Sequence, residues 1–170
     1  MNEYWEKFKN LFKPKQIVKD IQEIDFGHLK SQGINALILD IDDTLLPRMV
    51  NDISPQVFEW VANLREQGFK ICLTSNSRHP LRIKYIGQTL DLPSMSLSFK
   101  PLPFAFWKSM GILKSKAKNT AMIGDQLFTD ILGANLIGVY SIFVKHLGEE
   151  NFLPRKWMRL AENWVLERLP

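Results

Sequence analysis

Residues 34–46 read INALILDIDDTLL, and the middle of that stretch decides how the rest of the chain is organised. Ala36-Leu37-Ile38-Leu39 is a short unbroken apolar run, the pattern of a strand buried on both faces. It stops at Asp40, Asp42 and Asp43, three acids within four positions. Carboxylates so close repel one another, which leaves two readings: a solvated turn, or a place where a cation belongs.

Three more stretches share the apolar pattern: FKICLTS (69–75), NTAMIGD (119–125) and GVYSIFV (138–144). Helical periodicity fills the intervals. SPQVFEWVANLREQG (54–68) offers Ser at the N-cap, Pro in the first turn, apolar Val57, Trp60, Val61 and Leu64, and a Gly stop. HPLRIKYIGQTL (79–90) and LPFAFWKSMGILK (102–114) also read as helices, and DQLFTDILGANLIG (125–138) gathers Leu127, Ile131 and Leu132 on one side. Apolar strands alternating with helices predict an α/β fold, a Rossmann-like three-layer sandwich around a parallel sheet. Such sheets place their ligands beyond the carboxyl ends of the strands. Asp40, Ser75 and Asp125 each end a predicted strand, so they share that edge.

The bulk properties fit one domain. At 170 residues, with 45% hydrophobic and 24% charged residues, the chain is long enough for a single core and too polar-balanced for disorder. Cys72 is the only cysteine, sits inside an apolar run and reads as core packing in a reducing compartment. No apolar stretch approaches the roughly 18 residues that span a bilayer, and MNEYWEKFKN is too charged for a secretory signal; a cytoplasmic protein is expected. His28, His79 and His146 lack metal-ligand spacing and read as structural. The net charge of +4 lies at the two ends: residues 1–15 hold four Lys against two Glu, and residues 151–170 hold four Lys/Arg against two Glu. The middle is neutral, so no nucleic-acid groove is expected on the folded body.

Four ordered pieces resemble the haloacid dehalogenase-like (HAD) phosphatases: DIDDT (40–44), TSN (74–76), KP (100–101) and GDQLFTD (124–130). Each is weak alone; their order, with three of them following predicted strands, is specific. NALILDIDDTLL, TSNSRH, FKPLP and IGDQLFTDILGAN further resemble the small YqeG-type branch (subfamily IIIA), which is similar to the phosphatidylglycerophosphate phosphatases of mitochondria and plastids. The resemblance implies a hydrolase that forms an aspartyl-phosphate on Asp40. Asp42 would serve as acid and base, and Ser75 and Lys100 would be catalytic, binding the phosphoryl group and balancing charge. Mg²⁺ is the implied cofactor, held by Asp40, the Asp42 carbonyl and Asp125, with Asp130 behind them orienting the shell. Thr44 would hold the turn and, with Asn76 and Arg78, lie toward the substrate. Asp43 is expected to face solvent.

Only 24 residues separate Ser75 from Lys100, and the loop LLPRMVNDIS (45–54) plus one helix follows the acids, so neither interval holds a cap domain. An open site suits a phosphate carried on something bulky. At the ends, Tyr4, Trp5, Phe8, Leu11 and Phe12 form one helical face bordered by Lys7, Lys9 and Lys13. Trp157, Leu160, Ala161 and Trp164 form another beside Arg155, Lys156, Arg159 and Arg168. Such helices either pack on the sheet or lie in a membrane interface, and the composition is that of interfacial helices. The chain divides into an N-terminal amphipathic helix and lead-in (1–33), a capless HAD-like core (34–150) and a basic amphipathic helix (151–170). The expected function is hydrolysis of a phospholipid monoester, phosphatidylglycerophosphate in phosphatidylglycerol synthesis, by a protein peripheral on the inner face of a membrane. The alternatives are a soluble phosphatase acting on a protein or nucleic-acid phosphate, and a non-catalytic scaffold with the same fold.

Overall fold

Alternate side chains of a strand point to opposite faces, and the apolar run at residues 36–39 therefore feeds two cores at once. In the computed structural model, which describes residues 9–145 and 153–168 (side chains of 153–155 excepted), Leu37 and Leu39 enter a core with Leu29, Val61, Leu64 and Ile83. Ala36 and Ile38 enter a second core with Cys72, Phe106, Met110 and Met122 on the other face. Leu37, Ile38 and Leu39 are fully buried, each contributing about 1.5–3 kcal/mol.

Six parallel strands form the sheet: β1 (Gln16–Val18), β2 (Ala36–Asp40), β3 (Lys70–Thr74), β4 (Ser94–Met95), β5 (Thr120–Gly124) and β6 (Tyr140–Val144). Their order is β1-β6-β5-β2-β3-β4. The helices are α1 (the helical residues 9–12), α2 (Phe26–Ser31), α3 (Pro55–Glu66), α4 (Pro80–Thr89), α5 (Pro103–Leu113), α6 (Leu132–Leu136) and α7 (Leu153–Leu166). This is an α/β Rossmann-like fold, with no cap domain among the described residues. Helix α3 is built as its sequence dictates: the Ser54 hydroxyl accepts from the Val57 amide at 3.4 Å, Pro55 opens the first turn, and Gly68 follows at φ +86°.

The short edge strands β1 and β4 were not among the predicted elements. With three and two residues, neither is long enough to show a period. The predicted helix over 125–138 also differs, being a π-helical turn at Leu127–Ile131 followed by α6. Tyr4, Trp5, Lys7, Phe8 and His146 lie outside the described residues, as does the Arg155 side chain. The described end of the first helix is seated on the core: Phe12 packs with Leu127, Ile131 and Phe143, its ring edge-on to Phe128 at 5.7 Å.

Connectivity singles out one crevice. The chain leaves β2 for β3 on one side, and β5 lies on the other side of β2, so the order reverses between β2 and β5. Register aligns the strand ends there: Asp40 pairs with Thr74, and Leu39 with Ile123. Ser75 and Asp125 thus follow one step beyond Asp40 on its two neighbours.

Candidate active site

The strand ends bring four charged side chains out of water. Asp40 Oδ1 accepts from Lys100 Nζ at 2.6 Å, and the same ammonium lies 2.7 Å from Asp130 Oδ1, outside good hydrogen-bond geometry. Asp40, Asp125 and Asp130 each bring a carboxylate oxygen within 4.8 Å of the others'. All four residues are buried. Gly124 makes room for this: a Cβ there would stand 2.3 Å from Asp130 Oδ2. That oxygen accepts from the Gln126 amide at 3.1 Å, and the π-helical turn carries Asp130 back over the strand end.

Burial sets the electrostatics. It pushes Asp40 well above the ordinary carboxylate range; Lys100 opposes the shift, and Asp130 and Asp125 add to it. Asp125 is pushed up to about 7 by burial, against the pull of Arg159 and with Asp130 adding. Lys100 is raised, because Asp130 and Asp40 together outweigh the burial that would lower it. Asp40 and Asp130 share one lysine, Asp125 is paired with Arg159, and Asp40 Oδ2 has no hydrogen-bond partner. An orphaned, desolvated carboxylate oxygen in such a cluster has the chemistry of a hard-cation site.

Around this cluster, Asp42 is held from two sides. Its Oδ1 accepts from Arg82 Nη1 at 2.7 Å and its Oδ2 from the Ser75 hydroxyl at 3.3 Å. Arg82 also donates to the Val50 carbonyl and to Asn51 Oδ1, pinning the loop over α4. The Thr44 hydroxyl donates to Asp125 Oδ1 at 3.3 Å. Asn76 is committed to the loop that presents Lys100: its Oδ1 accepts from the Lys100 amide and the Ser98 hydroxyl, and its Nδ2 donates to the Lys100 carbonyl. Arg78 is exposed, whereas Arg82, in the first turn of α4, faces Asp42. Asp43, expected at the surface, is buried at φ +66°, because its carboxylate accepts from the Arg48 amide at 3.1 Å and pairs with Arg48 Nε at 3.2 Å. Asp130, expected behind Asp40 and Asp125, brings a carboxylate oxygen within 4.8 Å of theirs and lies 2.7 Å from Lys100 Nζ.

Helix α7 supplies a contact that sequence reasoning did not anticipate. Arg159 Nη2 donates to Asp125 Oδ2 and Nη1 to the Asp125 carbonyl, with Glu162 Oε2 at 3.3 Å from Nη1. Glu162 in turn accepts from the Phe128 amide. The helix is inverted relative to a surface helix, with Arg159 only 7% exposed while Trp157 is 71% exposed. Its charged pair faces the strand ends and its aromatic stripe faces outward.

A cleft of about 170 Å³, lined by Asp40, Asp42, Arg48, Ser75, Asn76, Ser77 and Gln126, opens over Asp40. Larger hollows of about 480 and 390 Å³ lie elsewhere, beside Ile34 and Tyr140 at the amino ends of the strands and beside Trp60. Neither contains any of these acids, so the smaller cleft is the chemically relevant one.

Residues 6–81 match the family model described as mitochondrial PGP phosphatase, and residues 99–151 match the HAD-hydrolase-like model. The chain is 30% identical to "Probable phosphatase YqeG" of Bacillus subtilis (strain 168) over 161 residues, 95% of this chain and 93% of that one. The chain belongs to the HAD phosphatases, in their YqeG-type branch. Among solved structures it is similar to an uncharacterized protein from Listeria monocytogenes serotype 4b (TM-score 0.56, 19% identity, 70% of this chain and 85% of that one). It is also similar to the cobalt-bound deoxy-D-mannose-octulosonate 8-phosphate phosphatase (YrbI) of Haemophilus influenzae (TM-score 0.51, 16% identity, 81% and 90%). At these identities the structures speak for the fold. This HAD phosphatase therefore acts on a phosphorylated substrate. HAD phosphatases use a divalent metal, which the Asp40, Asp125 and Asp130 cluster could hold. Among the described residues, no helix is long and apolar enough to cross a membrane.

Proposed function

We propose that this chain is a Mg²⁺-dependent phosphomonoester hydrolase working through a phosphorylated Asp40, and that its substrate is a phospholipid monoester, phosphatidylglycerophosphate, met at a membrane surface. The observation that carries the reaction is Asp40 itself: one oxygen held by Lys100, the other buried and unpartnered, beneath a cleft of about 170 Å³ with room for a phosphoryl group. A carboxylate oxygen of Asp40 attacks phosphorus, the bond from phosphorus to the leaving alkoxide breaks, and Asp42 gives that oxygen its proton. Water then attacks the phospho-Asp40, Asp42 takes the water proton, and cleavage of the bond from phosphorus to the Asp40 oxygen releases inorganic phosphate. Arg82 and Ser75 keep Asp42 aimed through both steps. Lys100 balances the charge gathered on Asp40 and Asp130, and the Ser75 hydroxyl, which lines the cleft, would bind the phosphoryl group. A divalent cation held by Asp40, Asp125 and the Asp42 carbonyl, with Asp130 in support, would supply the positive charge that phosphoryl transfer needs.

Three features support the lipid. The cleft is too small and open to enclose a metabolite, which ordinarily requires about 300–1,000 Å³. The match to the PGP phosphatase model covers residues 6–81. Trp157, Leu160 and Trp164 form an outward stripe on α7 with Lys156 and Arg168 exposed beside them. The test is hydrolysis of phosphatidylglycerophosphate in mixed micelles, in competition with soluble phosphosugars and nucleotides. Preference for the lipid is expected; equal or better turnover of the soluble esters contradicts the lipid assignment.

A further inference from the structure

Helix α5 and the loop ahead of it have an outer surface that the reaction does not explain. Buried Ala105, Phe106, Ser109, Met110 and Leu113 form the inner face of α5, as in any helix flanking a sheet. The outer face is apolar too, with Phe104 60% and Trp107 60% exposed. A helix apolar on all sides normally has both faces covered. The preceding loop continues the surface: Phe99 is 62% exposed, and Leu97 and Leu102 are also exposed. Leu97 and Phe99 sit at φ +49° and +56°, a left-handed conformation that costs a non-glycine residue about 1–2 kcal/mol. The loop is tied to the catalytic edge, since the Leu97 and Ser98 amides donate to the Ser77 and Ser75 carbonyls and Lys100 lies two residues on. The apolar surface therefore borders the cleft over Asp40.

Charge decides what covers it. From residue 92 to residue 124 the chain has five lysines and no aspartate or glutamate; Lys114, Lys116 and Lys118 follow the end of α5, and Lys118 lines the hollow at the amino ends of the strands. Lys100 is turned inward to Asp40, while Lys108, on the outer face, lies 5.9 Å from the Phe104 ring centre. A second copy packed symmetrically on this face would set Lys108 against an apolar surface that offers it no carboxylate, because an isologous contact pairs a surface with itself. An anionic bilayer instead accepts aromatic side chains at the level of its headgroups and attracts Lys108.

We infer that the outer face of α5, with the 97–102 loop, docks on an anionic lipid surface and so presents the cleft over Asp40 to a headgroup phosphate. The inference rests on the lipid-monoester reading for its purpose, but it is testable apart from it. The full chain is sedimented with phosphatidylcholine vesicles with and without phosphatidylglycerol, beside Phe104→Ser/Trp107→Ser and Lys108→Glu. Hydrolysis of p-nitrophenyl phosphate serves as the check that each variant is folded. Binding of the unaltered protein to the anionic vesicles is expected, falling at least about tenfold in the double variant and less in Lys108→Glu, with p-nitrophenyl phosphate turnover unchanged. Brominated lipids should quench tryptophan fluorescence, less so in Trp107→Phe, a readout that survives if the double variant fails to fold. Equal vesicle binding by all variants, or no difference in quenching, overturns the inference. So does a concentration-dependent dimer that the double variant abolishes, which would assign the face to a second copy. Failure to hydrolyse phosphatidylglycerophosphate in micelles, with face-dependent vesicle binding intact, would count against the substrate assignment and leave the docking face standing.

Discussion

Replacing Lys100 by Met keeps the volume of the side chain and removes its charge, so it isolates what the ammonium does between two carboxylates. Lys100 Nζ is 2.6 Å from Asp40 and 2.7 Å from Asp130, all three side chains almost wholly out of water. Breaking a buried charge pair from one side costs about 3–5 kcal/mol, because the remaining charge is left uncompensated. At roughly 2–4 °C per kcal/mol for a chain of this size, the melting temperature of the metal-free protein should fall by about 6–20 °C. The loss should shrink when Asp130→Asn is added, since fewer unpaired carboxylates remain; a double-mutant cycle by urea denaturation measures that coupling directly. Turnover of p-nitrophenyl phosphate should drop about 10²–10³-fold, the size typical of removing one charge-stabilising group from a catalytic site. A stable Lys100→Met protein with near-normal turnover would refute the reasoning, whatever the fate of the double variant.

Three further outcomes follow from the same geometry. Arg159→Met should tighten Mg²⁺ binding about 10–100-fold by calorimetry, since the charge-assisted hydrogen bonds it makes to Asp125 compete with a cation; unchanged or weaker binding would make Arg159 a support rather than a competitor. Arg82→Ala should lower kcat by about tenfold to a hundredfold with little effect on KM, because Asp42 and the 50–51 loop lose their anchor, and Arg82→Lys should recover part of the loss. The folded-state value of Asp125 is about 7 against an ordinary 3.8, so the stability contributed by its proton is fully present below about pH 4 and disappears as pH rises through 7. The rise in Tm on adding Mg²⁺ should therefore be larger above pH 7 than near pH 4, as scanning calorimetry would show.

The pieces that were legible in the sequence are those that depend on local pattern. Asp40, Ser75 and Asp125 were placed together because each ends an apolar run, and parallel register does the rest. Lys100 was found through its proline-bearing piece and does reach Asp40. What escaped depends on contacts remote in the chain. Arg82 and Arg159 are ordinary residues of amphipathic helices until Asp42 and Asp125 meet them across 40 and 34 residues. Asp43 was misplaced because its partner, Arg48, sits in a loop with no periodicity to direct it inward. The C-terminal helix showed an apolar stripe, but periodicity cannot say which side a helix turns to the sheet. Here Arg159 and Glu162 are buried, and the tryptophans stay outside. The π-helical turn carrying Asp130 shapes the site through backbone geometry, which composition does not record.

Identifying the phosphorylated residue tests the central claim most directly. A single turnover with an excess of enzyme, quenched in acid and reduced with borohydride, converts an acyl phosphate into an alcohol that peptide mass spectrometry can locate. Modification at Asp40 alone, absent from Asp40→Asn and still formed in Asp42→Asn, whose hydrolysis step is slowed, is the expected result. Phosphate transfer to any other side chain, or full turnover by Asp40→Asn, would contradict the account.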